Sequence, residues 1–147
     1  EISNYPKPGY ECRHNIGYWT GIEYLGLGLG ASSYIQGFRF HNESDLSLYD
    51  KIQMTGTDAD EKLHQEITKL SDKEKMEEFM FLGLRMIKGV SGSEFFQRFG
   101  QNMWNVYGNV LNKLKDEGLI IVDMPDVRLS DYGIDVSNYV LSEFLLD

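Results

Sequence analysis

Three glycines alternating with three leucines constrain this chain more than any other feature of its sequence. In Tyr24-Leu-Gly-Leu-Gly-Leu-Gly-Ala31 they fall at Gly26, Gly28 and Gly30. Glycine inside a strand marks close approach by another backbone or by a ligand. Residues 23–29 are therefore expected to form a buried strand, with Tyr24, Leu25, Leu27 and Leu29 among the glycines. Just upstream, His14, Asn15, Tyr18 and Trp19 crowd into six positions. A metal-capable imidazole, two large amphipathic rings and a run of backbone without side chains suit a flat or bulky ligand.

The spacing Gly26-x-Gly28-x-x-Ala31 imitates a dinucleotide fingerprint, but that motif needs a helix opening at the glycines to hold a pyrophosphate. Here residues 33–40, Ser-Tyr-Ile-Gln-Gly-Phe-Arg-Phe, alternate as a second strand. Glycines lining a cofactor or a neighbouring backbone are expected instead.

At 147 residues the chain can build one good core, or a small domain joined to a piece of another. Aromatic residues make up 13%, which fits a well-packed core or a stacking site. The net charge of −9 argues against a nucleic-acid partner, because phosphate binding needs a basic face. Cys12 is the one cysteine, which excludes an internal disulfide and a cysteine-clustered metal site within this chain, and points to a reducing, intracellular setting. No apolar run approaches the length of a membrane span, and no charged-then-apolar leader opens the sequence. The chain begins without methionine, on Glu1-Ile-Ser-Asn-Tyr-Pro6, as if at the end of a strand, and is expected to be part of a longer protein.

Pro6, Pro8 and Gly9 make residues 5–11 a loop that leads into the histidine stretch, itself expected to be loop. After the second strand His41-Asn42 is expected to turn, and Ser44 or Asp45 to cap a short helix through Leu46, Leu48, Tyr49 and Ile52. The polar run Thr55-Gly-Thr-Asp-Ala-Asp-Glu61 marks a boundary. This gives a first part over residues 1–55, a linker over 56–70 and a second part over 71–147.

The second part carries the clearer helix signals. Ser71 with Glu74, and Ser91 with Glu94, have the spacing of capping boxes. Met76, Met80, Gly83, Leu84 and Ile87 follow at helical spacing up to Gly89; Phe95, Phe96 and Phe99 are expected to face inward up to Gly100. A third helix carries Met103, Tyr107, Val110, Leu111 and Leu114 and ends at Gly118. Leu119–Val122 and Val127–Leu129 flank Met124-Pro-Asp126 as a small hairpin, and Ser130 or Asp131 opens one last helix through Ile134, Tyr139, Val140, Phe144 and Leu145. Three helices, a two-stranded wing and a closing helix make a winged-helix arrangement. Residues 71–147 hold thirteen carboxylate residues against eight lysines and arginines, the wrong sign for reading nucleic acid.

His14 by itself fits an ordinary hydrogen-bonding role as well as it fits axial ligation of haem iron. Asn15 suits holding the second imidazole nitrogen or a ligand carboxylate. Tyr18 and Trp19 suit stacking on a ligand or anchoring the segment to a core. Spacing leaves these alternatives open.

Four stretches decide between them by resemblance. Glu1-Ile-Ser-Asn, Lys7-Pro-Gly-Tyr-Glu-Cys-Arg-His-Asn-Ile-Gly-Tyr-Trp19, Tyr24-Leu-Gly-Leu-Gly-Leu-Gly-Ala-Ser32 and Glu78-Phe-Met-Phe-Leu-Gly-Leu-Arg85 resemble the HemW branch of the HemN/HemW radical SAM family. The resemblance runs over the whole chain, in layout more than in distinctive residues toward the C-terminus. It implies an α+β fold: the C-terminal strands of a radical SAM partial barrel, then a winged-helix-like domain. It also implies haem as ligand, with His14, Asn15, Tyr18 and Trp19 as haem-binding residues and His14 on the iron.

Gly26, Gly28 and Gly30 are then expected near S-adenosylmethionine. The family's [4Fe–4S] cluster is held by a Cys-x₃-Cys-x₂-Cys motif that Cys12 does not match, so its ligands lie outside this chain. The implied function is that of a cytoplasmic haem chaperone delivering haem to an acceptor protein. The alternative is an oxygen-independent coproporphyrinogen III oxidase, a branch that lacks the His-Asn-x-x-Tyr-Trp hexapeptide. The resemblance leaves room for peripheral membrane association through the acceptor, and an unpaired barrel edge for a homodimer.

Overall fold

In the computed structural model of the chain, residues 2, 6, 7, 9–52 and 62–146 are described. In chain order the elements are α1 (Arg13–Trp19), β1 (Ser32–Ile35), β2 (Phe38–Asn42), α2 (Leu46–Tyr49) and β3 (His64–Lys69). There follow α3 (Asp72–Gly83), α4 (Gly92–Phe99), α5 (Met103–Asp116), β4 (Ile120–Asp123), β5 (Asp126–Leu129), α6 (Asp131–Asp135) and α7 (Ser137–Ser142). They fall into two compact units, Glu1–Ile22 with Asp72–Asp147, and Glu23–Ser71. The division cuts between the histidine stretch and the glycine stretch.

The Glu23–Ser71 unit is an antiparallel sheet of order β1-β2-β3. It corrects the sequence reading in four places. Residues 33–40 are not one strand, because Gln36 and Gly37 both adopt positive φ (51° and 78°) and reverse the chain into a tight hairpin. His41 and Asn42 do not turn; they continue β2, opposite Gln65 and His64 of β3. Residues 64–69, expected within the linker, are β3 itself; Gln53–Glu61 lie outside the described residues.

The fourth correction concerns residues 23–29, which are not a buried strand. Only Tyr24 makes a bridge, to Tyr34, and Leu27 is 84% exposed. The reason is local: positive φ at Gly28 and Gly30 (100° and 64°) bends the chain off the extended path. The carbonyls of Gly26 and Gly28 then bond the Asn42 side chain rather than a neighbouring strand. The short helix is capped as expected, Asp45 Oδ1 accepting from Ser47 N and Leu48 N at 2.8 and 3.0 Å, and ends at Tyr49 rather than reaching Ile52.

The helical unit follows its sequence signals more closely. On α5, Met103, Tyr107, Leu111 and Leu114 are all buried, a spacing of three to four that lines one face. Asn102 caps that helix, accepting from Trp104 N at 2.8 Å. On α3, Met76 and Met80 point inward, but the helix ends at Gly83 rather than near Gly89, and Ile87 is left exposed. On α4, Phe95 is fully buried as expected, while Phe96 is 58% exposed, which corrects its inward placing. Ser91 makes no side-chain cap there; instead the Gly92 N–H donates to Asp126 Oδ1 at 3.1 Å.

The aromatic core is a chain of rings. Phe95 lies 5.4 Å from Phe79, 4.7 Å from Phe99 and 6.1 Å from Tyr107, which lies 5.4 Å from Phe144, centroid to centroid. Most meet edge to face, the arrangement the ring quadrupoles favour. The wing pairs Ile120 with Leu129 and Val122 with Val127. Ser130 then caps α6, its Oγ accepting from Gly133 N at 2.9 Å. The single closing helix expected from sequence is two, broken at Val136, and Tyr139 and Leu145 face solvent. Among the described residues, no helix is long and apolar enough to cross a membrane.

Candidate functional site

The histidine stretch is a helix, not a loop. Residues 13–19 form α1, and a Schellman-type stop ends it: Ile22 N donates to Gly17 O at 3.0 Å and Gly21 N to Tyr18 O at 3.1 Å, with Gly21 at φ 67°. Helical spacing sorts the hexapeptide into two pairs. His14 and Tyr18 stand four residues apart on one face, their ring centroids 4.8 Å apart and nearly perpendicular. His14 is exposed and Tyr18 is 38% exposed. Asn15 and Trp19 form the second pair, about 100° round the helix from the first, and both are half-buried.

Trp19 anchors. The Arg85 guanidinium lies over its ring at 4.9 Å, a cation–π contact that fixes α1 to the turn after α3. Arg98 holds the other end of the segment, its Nη2 donating to Thr20 O at 3.2 Å. The Trp19 indole N–H is buried and makes no hydrogen bond among the described residues. Sequence reasoning missed the anchoring roles of Arg85 and Arg98, which arise across long separations. The helix itself had one usable signal, Gly21, in the position where a helix stops.

On the exposed face an imidazole stands beside an aromatic ring, a metal-capable nitrogen with an apolar flank. Among the described residues, no hydrogen bond engages the His14 ring. Of the four expected residues, His14 and Tyr18 are exposed, Asn15 is half-buried and Trp19 packs against Arg85. Among the described residues no group of three or more histidine, cysteine or acidic side chains is placed to hold a metal ion, and Cys12 is a free, exposed thiol. The residues present do not fit a cysteine-ligated cluster.

Gly26, Gly28 and Gly30 lie in the other unit. Asn42, 4% exposed, donates from Nδ2 to Gly26 O at 3.2 Å and to Gly28 O at 2.8 Å, while Gly26 N donates to Ser33 Oγ at 3.0 Å. A Cβ on Gly26 would drive into the Ser32 carbonyl oxygen; one on Gly28 would meet open space. Close backbone approach therefore explains Gly26, and positive φ explains Gly28 and Gly30.

A sheet unit and a winged-helix unit of this kind define an α+β protein, and comparison with known proteins places it. Residues 70–136 match the family described as the HemN C-terminal domain. Over its whole length the chain is 37% identical to the protein named "Heme chaperone HemW" from Lactococcus lactis subsp. lactis, and over 146 residues it is 36% identical to the Bacillus subtilis protein of the same name. It spans 37% of the length of each of these relatives. Among solved structures it is similar to coproporphyrinogen III oxidase (HemN) from Escherichia coli, described as a radical SAM enzyme. The TM-score is 0.63, with 17% identity, over 84% of this chain and 28% of that one. At that identity the likeness is one of fold. Residues 70–136 thus match the HemN C-terminal domain, and the chain is similar in sequence to HemW relatives from end to end.

Proposed function

We propose that this chain is the haem-handling portion of a cytoplasmic haem chaperone, with haem as cargo and a haem-accepting protein as partner. The observation that carries the reading is the exposed His14–Tyr18 face of α1, rings 4.8 Å apart, in a chain similar to HemW relatives throughout. In this reading His14 Nε2 or Nδ1 ligates the iron, Tyr18 flanks the macrocycle, and Asn15 bonds the second imidazole nitrogen or a propionate. Trp19 fixes the helix that presents them. A [4Fe–4S] cluster and S-adenosylmethionine belong to the full-length protein, the cluster on cysteines outside this chain, whose one cysteine is Cys12. The open space over Gly28 supports placing the Gly26–Gly30 loop toward S-adenosylmethionine. Delivery at a membrane surface through the acceptor, and pairing of two copies along a sheet edge, extend the same proposal.

The test is haem titration of the chain, followed at the Soret band. His14→Ala should weaken binding by about tenfold or more, at least the loss expected from removing an outer partner of a metal ligand. An unchanged spectrum and affinity would remove His14 from the site. The fold likeness to coproporphyrinogen III oxidase favours a second reading, oxidative decarboxylation of a porphyrinogen. Anaerobic turnover to protoporphyrinogen by cluster-loaded, full-length protein would put that reading first.

A further inference from the structure

We infer that the groove between the C-terminal end of α5 and the α6–α7 pair is a docking site for a basic side chain, arginine or lysine, carried on an exposed segment of a partner protein. The groove has a volume of about 430 Å³ and is lined by Glu117, Leu119, Tyr132, Val136 and Tyr139. It is independent of the haem reading, which concerns α1.

Its walls are held firmly. Gly133 packs so close to the start of the wing that a Cβ there would drive into the Leu119 carbonyl oxygen. Ser130 ties the same joint twice, its N–H donating to Leu119 O at 3.0 Å and its Oγ donating to Gly118 O at 2.7 Å. This fixes Tyr132 and Val136 beside Leu119, whose buried side chain makes the floor.

The chemistry on that frame favours a cation. Glu117 is the C-cap of α5, where the helix macrodipole puts its negative end. Its Oε2 accepts from Tyr139 OH at 3.3 Å, and among the described residues Glu117 has no ion-pair partner. Asp116, Asp131 and Asp135 flank the lining residues in sequence. Two tyrosine rings stand at the rim, Tyr132 62% and Tyr139 42% exposed.

The chain itself shows that one of these rings accepts a cation. The Lys113 ammonium lies 5.5 Å from the Tyr139 ring centroid. Lys113 forms its ion pair with Glu143, at 2.7 Å, and that bond, with a second to Tyr139, holds its ammonium charged well above the usual lysine range. Among the described residues it makes no ion pair with Glu117. A carboxylate, a helix C-terminus and the face of Tyr132 remain for a second cation, whose aliphatic stem Leu119 and Val136 would receive.

The experiment titrates the ¹⁵N-labelled chain with a tetra-arginine peptide and with tetra-citrulline, its neutral isostere, following backbone amides by NMR. The arginine peptide should shift the amides of Glu117, Leu119, Tyr132 and Tyr139, and the citrulline peptide should leave them in place. Glu117→Gln and Tyr132→Ala should each weaken binding by about fivefold, while Glu94→Gln, an exposed carboxylate change on α4, should leave the affinity unchanged. Equal binding of the citrulline peptide would make the groove an apolar site and overturn the inference. So would arginine binding that Glu117→Gln does not weaken, or no binding at all.

Discussion

Phe95 and Leu27 are both large apolar residues, and the two units treat them in opposite ways. Phe95 is fully buried among aromatic rings in the helical unit; Leu27, in the sheet unit, is 84% exposed. The contrast extends to whole units. The contiguous apolar core runs from Met76 to Phe144 and belongs entirely to the helical unit. In the sheet unit the buried side chains include Ser33 and Asn42 beside Leu63 and Leu70. Leu25, Leu27 and Leu29 are meanwhile all left exposed. One unit coheres by burying apolar surface, the other by backbone ladders and a polar clamp.

The severest test of that contrast is Phe95→Ala. Losing a buried phenyl ring should cost about 3–5 kcal/mol, read by denaturant unfolding. Native-state hydrogen exchange should show α3, α4 and α5 losing protection while β1, β2 and β3 keep theirs. Equal loss in both units would show that they unfold as one, and the contrast would fail.

Asn42→Ala probes the other unit. It removes two donated hydrogen bonds and leaves the Gly26 and Gly28 carbonyls without them, a cost of about 1–3 kcal/mol. Exchange at residues 26–31 should quicken, with no change in the helices. An unaltered loop would show that the glycine turns hold themselves.

The smallest effect is expected from Tyr107→Phe. The Tyr107 hydroxyl is buried and has no hydrogen-bond partner among the described residues, so removing it should change neutral-pH stability by no more than about 1 kcal/mol. The pH dependence should change more visibly. Burial, reinforced by the Glu77 charge, holds the phenol protonated well above the usual tyrosine range. Above a pH of about 10 the unfolded chain then releases this proton before the folded one does, and stability falls as pH rises. Tyr107→Phe should flatten that alkaline decline; an unchanged slope would mean that Tyr107 does not cause it.

These contrasts also mark what could be read in advance. The α5 face and the caps at Asp45 and Ser130 were legible because each depends on residues within one or two turns. The glycine stretch was misread because its decisive partner, Asn42, stands 14 and 16 residues away and takes carbonyls that a strand would have used. Helix α1 was missed for a related reason. Seven residues with Asn15 and Gly17, and no side-chain cap at Cys12, make a poor helix by themselves. The contacts of Trp19 with Arg85 and of Thr20 with Arg98 supply what propensity lacks.

By itself the sequence determined the winged-helix pattern, the likeness to HemW relatives and the identity of the His14 hexapeptide, because spacing and residue type suffice for those. Tertiary structure alone decided that the hexapeptide is helical, that His14 and Tyr18 face outward as a pair, and that Trp19 turns inward. A marginal seven-residue helix takes its conformation from the contacts around it, and a helix, once formed, separates neighbours in sequence onto different faces.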